Sequence, residues 1–255
     1  MLENERESSQ ILSNEEIQEQ FCRLGIKAVL FDLDDTLIFT TEIFRKYMQQ
    51  YVEKVALETD LDLKTLNESL SRHNDESYKK LGVNPAKWSN VVENMAKEFP
   101  GYENSIIENL EILMNIYIEE PRIRSGAKET LAAIRKAGIK IGIVTHANES
   151  WTWRKLASTG LAESYDVIKI ANEDGHKGVK DWETAMENLD VLPTECLVIG
   201  DSIGGDIIPS KSLGAKAMWI TNGSTWSIYQ KGEIPENTVS ISEVDELLSA
   251  LVRLG

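Results

Sequence analysis

Short apolar runs recur along the chain at Lys27 to Leu33, Lys140 to Thr145, Val167 to Ile170, Cys196 to Gly200 and Ala215 to Ile220. Runs of this length, rich in β-branched residues and bounded by turn formers, read as buried strands. Between most of them the apolar positions change to helical spacing. Ala127 to Ala137 sets Leu131 and Ile134 on one face and stops at Gly138, while Asp181 to Leu189 and Asp206 to Leu213 repeat the pattern. Gly214 follows the latter, and Ser242 opens a final amphipathic helix through Leu247, Leu248, Leu251 and Leu254. Strands alternating with helices predict an α/β fold in which a parallel sheet lies between helices.

The rhythm breaks once. About a hundred residues separate the first two strands, and within them Ile43 to Leu57, Pro85 to Phe99 and Ser105 to Tyr117 carry helical spacing with no strand-like run between. A connection of that length with its own periodicity is an inserted domain, not a loop. Pro121 and Gly126 mark the return to the sheet. The expected organisation is a frayed tail over 1–12, a core built from 13–39 and 121–255, and a helical insertion over 40–120.

Composition narrows the partners. The 255 residues hold 27 Lys plus Arg against 42 Asp plus Glu, a net charge of −15, which speaks against nucleic acid or an anionic membrane as a surface-bound partner. A phosphorylated small molecule remains compatible, because a local cation can reverse the field of a cleft. Cys22 and Cys196 border apolar runs and are expected as two separate buried thiols, which makes the cytoplasm the natural compartment. The start of the chain is acidic (Glu3, Glu5, Glu7, then Glu15 and Glu16) and lacks the pattern of a signal peptide. No apolar run approaches the roughly 18 residues of a membrane-spanning helix.

The chemistry concentrates where the first strand ends. Asp32, Asp34 and Asp35 leave a buried strand together, and carboxylates so placed repel one another and lose hydration unless a cation or a proton joins them. A hard divalent ion such as Mg²⁺ meets that need. In open parallel sheets ligands sit beyond the carboxyl ends of the strands. Four candidate groups fall there: the acidic cluster, Thr145, a lysine in Gly175 to Trp182, and Asp201 with Asp206.

The pattern Asp32-x-Asp34-x-Thr36, a strand ending in Thr145, a downstream lysine, and Gly200-Asp201 followed by Asp206 resembles the four motifs of the haloacid dehalogenase (HAD) superfamily. The resemblance runs from about residue 26 onward. It implies a HAD-like Rossmannoid core with an α-helical cap at 40–120, and a Mg²⁺-dependent phosphatase acting on a small-molecule phosphate ester. Asp32 would attack phosphorus and form an aspartyl-phosphate, and Asp34 would serve as general acid and then general base. Mg²⁺ would be held by the carboxylates of Asp32 and Asp201 and the backbone carbonyl of Asp34. Thr145 would donate to a phosphoryl oxygen, with Thr36 and Asp206 in support, Asp206 holding the lysine or a metal-bound water, or else capping a helix. Asp35 is expected to face solvent or cap the turn.

Lys177 and Lys180 both qualify as the lysine that neutralises the nucleophile, and neither is followed by the proline common in relatives. Lys177 is favoured because it precedes a flexible glycine, whereas Lys180 abuts a helix start. His146 adjoins Thr145 and is a candidate substrate contact.

Two other readings use the same residues. A phosphomutase would keep the aspartyl-phosphate and return the phosphoryl group to a bound sugar. A serine hydrolase centred on Ser202 would need one of His73, His146 or His176 as base. Specificity would fall to the insertion, where Phe44, Arg45, Tyr47, Arg72, Tyr78, Trp88 and Asn94 are candidates, and to Trp151, Trp153 and Trp226 after strand ends.

Overall fold

The structure, a computed structural model, describes residues 13–223 and 232–254; the expected frayed tail and Trp226 lie outside the described residues. The chain opens with α1 (Asn14–Leu24), β1 (Ala28–Phe31) and β2 (Ile38–Phe39), followed by α2 (Thr41–Thr59), α3 (Leu63–Leu81), α4 (Lys87–Glu98), α5 (Glu103–Glu108) and α6 (Leu110–Met114). It continues through β3 (Arg122–Ile123), α7 (Ala127–Lys136), β4 (Lys140–Thr145), α8 (Glu149–Thr159), β5 (Val167–Ile170) and α9 (Val179–Asn188). The last elements are β6 (Cys196–Gly200), α10 (Ile208–Ser212), β7 (Lys216–Ile220), β8 (Val239–Ile241) and α11 (Leu247–Ala250).

Six strands form one parallel sheet in the order β5-β4-β1-β6-β7-β8. β1 sits between β4 and β6, so all four of its residues are buried. Alternation along it sends Val29 and Phe31 to one face, where they meet Ile17, Phe21, Leu131 and Leu247. Ala28 and Leu30 face the other way, onto Trp182, Ala185 and Met186 of α9. A parallel sheet covered on both faces is the expected architecture.

The residues between β2 and β3 bury a core of their own, built from Tyr51, Val52, Val55, Leu66, Leu70, Trp88, Val91, Met95, Ile106 and Leu113. β2 and β3 pair antiparallel at its root, Ile38 opposite Ile123 and Phe39 opposite Arg122. Two-residue strands carry too little alternation to be read from sequence.

Several expectations need correction. Cys22 is exposed, not buried: it lies on α1, whose inner face is taken by Ile17 and Phe21 four residues apart, so the next position turns outward. The helix expected over Asp206 to Leu213 begins instead as a π-helical turn, Ile203–Ile207, and becomes α10 only at Ile208, with Pro209 in its first turn. The run from Ser105 to Tyr117 breaks at Asn109, whose side-chain amide donates to the Ser105 carbonyl at 2.7 Å.

A candidate active site at the carboxyl ends of the strands

The first strand delivers Asp32. Its amide donates to the Ile199 carbonyl at 2.9 Å, continuing the β1–β6 ladder one residue past β1, and its side chain is buried. The chain then turns sharply. The Leu37 and Ile38 amides donate to the Leu33 carbonyl at 2.9 and 3.2 Å, and Asp35 takes a left-handed conformation with φ of 58°, which Asp tolerates better than most residues.

Of the two places expected for Asp35, facing solvent or capping the turn, burial excludes the first. Its carboxylate accepts the amides of Thr40 and Thr41 at 3.0 and 2.9 Å and the Thr41 hydroxyl at 2.5 Å. It therefore caps α2, the first helix of the insertion, and ties the acidic turn to it. Burial pushes the Asp35 carboxyl above the usual range, against the pull of those hydrogen bonds. Buried Arg124 braces the same turn, donating to the Asp35 carbonyl at 3.1 Å and pairing with Glu243 at 2.7 Å.

Lys177 reaches in from the loop before α9. Its ammonium contacts Asp32 Oδ1, Asp206 Oδ1 at 2.7 Å and the Val144 carbonyl at 3.2 Å. Burial opposes its charge, yet Asp206 and Asp32 outweigh that and hold it above the ordinary lysine range. Burial likewise lifts Asp32, to about 7, Lys177 pulling it down while Asp206 and Asp34 push it up. Lys180, by contrast, is exposed on α9 and does not line the cavity, because the helix has already turned away from the strand ends.

Asp201 and Asp206 follow β6. Oxygens of Asp32, Asp201 and Asp206 lie within 4.8 Å of one another, and all three residues are buried. Thr36 donates to Asp201 Oδ1 at 3.4 Å, and the Ser202 amide donates to Asp206 Oδ2 at 2.9 Å. Gly200 permits this packing: a Cβ there would stand 2.2 Å from Asp206 Oδ2. Two indoles fix the loop, Trp219 on the Asp201 carbonyl at 2.9 Å and Trp182 on the Gly205 carbonyl at 2.8 Å. The Ser202 hydroxyl accepts the Gly205 amide at 3.0 Å and so acts as a helix cap. Hard carboxylate oxygens converging at a buried point, with only Lys177 among the described residues placed to pair with two of them, make a donor set that fits a divalent cation such as Mg²⁺.

Asp34 is held from the opposite side. Thr145 donates to its Oδ2 at 3.3 Å, and Lys155 Nζ lies 2.5 and 2.7 Å from its two oxygens. Thr145 is fully buried, its hydroxyl committed to Asp34. Lys155 has no counterpart among the candidates that the sequence offers. It lies on the buried face of α8 with its ammonium 4.2 Å from the Trp151 ring centroid, and a lysine at four-residue spacing from that tryptophan is the signal by which it could be found.

These groups open on a cavity of about 370 Å³ between the strand ends and the insertion. Asp32, Asp34, Lys177 and Asp201 line one side; Phe44, Tyr78 and Lys87 line the other. The remaining specificity candidates lie elsewhere. Tyr47 bonds Glu119, Arg72 pairs with Glu98, Trp88 is buried against the Tyr117 hydroxyl, Asn94 bonds Asn90, and Arg45 and Trp153 are exposed. Trp151 does line the cavity. His146 lines it as well; burial, Lys177 and His176 lower its pKa to about 4, so the ring is neutral near pH 7. A turn of the insertion rests on the loop that carries Lys177: the Val83 amide donates to the Glu173 carbonyl at 2.8 Å, and Asn84 to Asp174 at 2.8 Å.

Known proteins share this arrangement of strands and helices. A crystal structure of a haloacid dehalogenase-like hydrolase from Xanthomonas campestris superposes with a TM-score of 0.71, at 17% identity, over 90% of this chain and 92% of that one. A glyceraldehyde 3-phosphate phosphatase of Pyrococcus furiosus is 27% identical over 235 residues, covering 89% of this chain and 94% of its own. A putative pyrophosphatase, PpaX, of Clostridium perfringens is 30% identical over 199 residues, covering 75% and 82%. The family model for haloacid dehalogenase-like hydrolases matches residues 26–214, the stretch that carries every strand-end group described above. The chain belongs to the haloacid dehalogenase-like hydrolase family.

Proposed function

We propose that the protein is a Mg²⁺-dependent phosphatase that hydrolyses a small-molecule phosphate monoester through an aspartyl-phosphate on Asp32, and that it works in the cytoplasm. Residues 13–39 and 121–255 act as the catalytic core and residues 40–120 as a cap over it. The observation that carries this reading is the convergence of Asp32, Asp34, Lys177 and Asp201 on one cavity. The names of the relatives add support, since both describe phosphate-releasing enzymes.

Asp32 attacks phosphorus as the bond to the leaving oxygen breaks, and Asp34 gives that oxygen its proton. Asp34 then takes a proton from water, which attacks phosphorus and releases inorganic phosphate and free Asp32. Lys177 balances charge on the transferring group, and Asp206 holds Lys177 in place. Asp32, Asp201 and the Asp34 carbonyl would hold Mg²⁺, which would supply charge stabilisation for the phosphoryl oxygens when bound. Lys155 and Thr145 fix Asp34, which sets where its proton is delivered.

The test is phosphate release from sugar phosphates, nucleotides, phosphoglycolate, pyrophosphate and glyceraldehyde 3-phosphate, with and without chelator. Release that needs Mg²⁺ and falls at least ~10⁴-fold in Asp32→Asn is expected. Isomerisation of a sugar phosphate without net release would instead identify a phosphomutase. Turnover that survives Asp32→Asn and vanishes in Ser202→Ala would identify a serine hydrolase.

A further inference from the structure

The insertion is acidic, with fifteen Asp plus Glu against nine Lys plus Arg between residues 40 and 120. The charged side chains it presents to the cavity are nevertheless both lysines, Lys79 and Lys87. Lys87 is the unusual one. It opens α4 on the apolar stripe continued by Val91 and Met95, four and eight residues on, and is only 3% exposed. Its ammonium lies 4.8, 5.6 and 5.8 Å from the ring centroids of Trp88, Phe44 and Tyr78, and no ion pair forms at it among the described residues. Burial lowers its pKa to about 8, with Asp75 pulling the other way, so it is largely charged near neutral pH without a paired anion.

Aromatic faces replace part of an ammonium's hydration but leave its three donors unmet. A buried charge of this kind is stabilised chiefly by an anion brought to it. The phosphoryl end of a substrate is accounted for by Asp32, Lys177 and the metal ligands across the cavity, so the group that meets Lys87 belongs to the leaving-group end. We propose that Lys87 is the specificity-determining residue of this site, and that its ammonium receives a second anionic group, a carboxylate or a further phosphate, carried by the leaving group of the phosphate ester. This rests on the phosphatase reading above. It makes the preferred substrate doubly anionic and ranks neutral-ended esters, including glyceraldehyde 3-phosphate, below it.

The experiment compares kcat/KM for phosphoglycolate and pyrophosphate with that for glycerol 3-phosphate and glyceraldehyde 3-phosphate, in wild type and Lys87→Met. Wild type is expected to favour one anionic-ended substrate by at least about tenfold, chiefly through KM, and Lys87→Met to bring that ratio near one. Which of the two is favoured distinguishes carboxylate from phosphate. Binding is read separately in the Asp32→Asn protein, where the favoured anionic ester should raise Tm more than glycerol 3-phosphate does, and where adding Lys87→Met should erase the difference. Lack of preference in wild type overturns the proposal. So does a Lys87→Met protein that melts lower and loses activity equally on every ester, the mark of a stacking role alone. Absence of phosphate release from any ester by wild type would instead refute the phosphatase reading, while the Tm comparison would still decide the role of Lys87.

Discussion

The two walls of the cavity treat charge in opposite ways. At the strand ends, Asp32 and Asp206 share Lys177, Asp34 is held by Lys155, and Asp35 is bonded to the start of α2. Across from them Lys87 stands among three aromatic rings with no ion pair among the described residues. The first wall is organised before any ligand arrives, as a site that stabilises developing charge must be. The second is incomplete without a ligand, as a site that selects one can be.

Breaking the first wall at its centre should have the largest effect. Lys177→Met leaves two buried carboxylates facing each other and is expected to cost about 3–5 kcal/mol of stability and to lower phosphate release by about 10³-fold or more. The sign of its pH dependence follows from Asp32. With its folded pKa raised to about 7, far above the unfolded value, the folded protein binds more protons through that window, so this contribution to stability is lost as pH rises through 7. Lys177 limits the loss by holding Asp32 down; without it Asp32 stays protonated to higher pH, so the deficit relative to wild type should grow as pH rises from about 7 upward, where wild type no longer loses stability. Denaturant titrations of both proteins across that range check this, and a deficit independent of pH would mean that the carboxylates are not facing a shared cation.

A smaller effect is expected at the edge of that wall. Lys155→Met removes the partner of Asp34, whose side chain is 23% exposed and so can recover some hydration. The expected loss is about 2 kcal/mol, below that of a fully buried pair, with kcat down about 10²-fold if Asp34 is the proton donor proposed above, since it then loses its orientation. A fall confined to KM would place Lys155 outside proton transfer.

The sequence discloses the first wall far better than the second. The strand runs and the residues at their ends carry strong local signals, because a parallel strand buried on both faces must be continuously apolar and its chemistry must start where the strand stops. Asp32, Asp34, Thr145 and Asp201 are legible in that way, while Lys177, seven residues past β5, is set apart from Lys180 only by the glycine that follows it. Lys155 and Lys87 are not legible, since each sits on the buried face of a helix where a lysine reads as an interruption of amphipathic spacing. α3 escapes for the same reason: Ser69, Asn74 and Ser77 share its buried face with Leu66, Leu70 and Tyr78, diluting the apolar period. The burial of Asp35 is not legible, because its partners, Thr40 and Thr41, become neighbours only through its left-handed backbone.

The smallest effect tests where the two walls meet. His146 lines the cavity between Lys177 and Tyr78, its ring centroid 6.3 Å from the Tyr78 ring, and its pKa is lowered to about 4 by burial first and then by Lys177 and His176. In the unfolded chain the imidazole titrates near 6.5. Between about pH 6.5 and pH 4 the unfolded state therefore binds the extra proton, and the native state loses stability as pH falls through that range. His146→Gln removes this proton linkage. The variant should gain about 1–2 kcal/mol relative to wild type on going from pH 7 to about pH 5, and the packing energy of the ring, the same at both pH values, cancels in that difference. Identical pH dependence in the two proteins would mean that the ring is charged in the folded state, and the cationic wall would then extend from Lys177 through His146 toward Lys87.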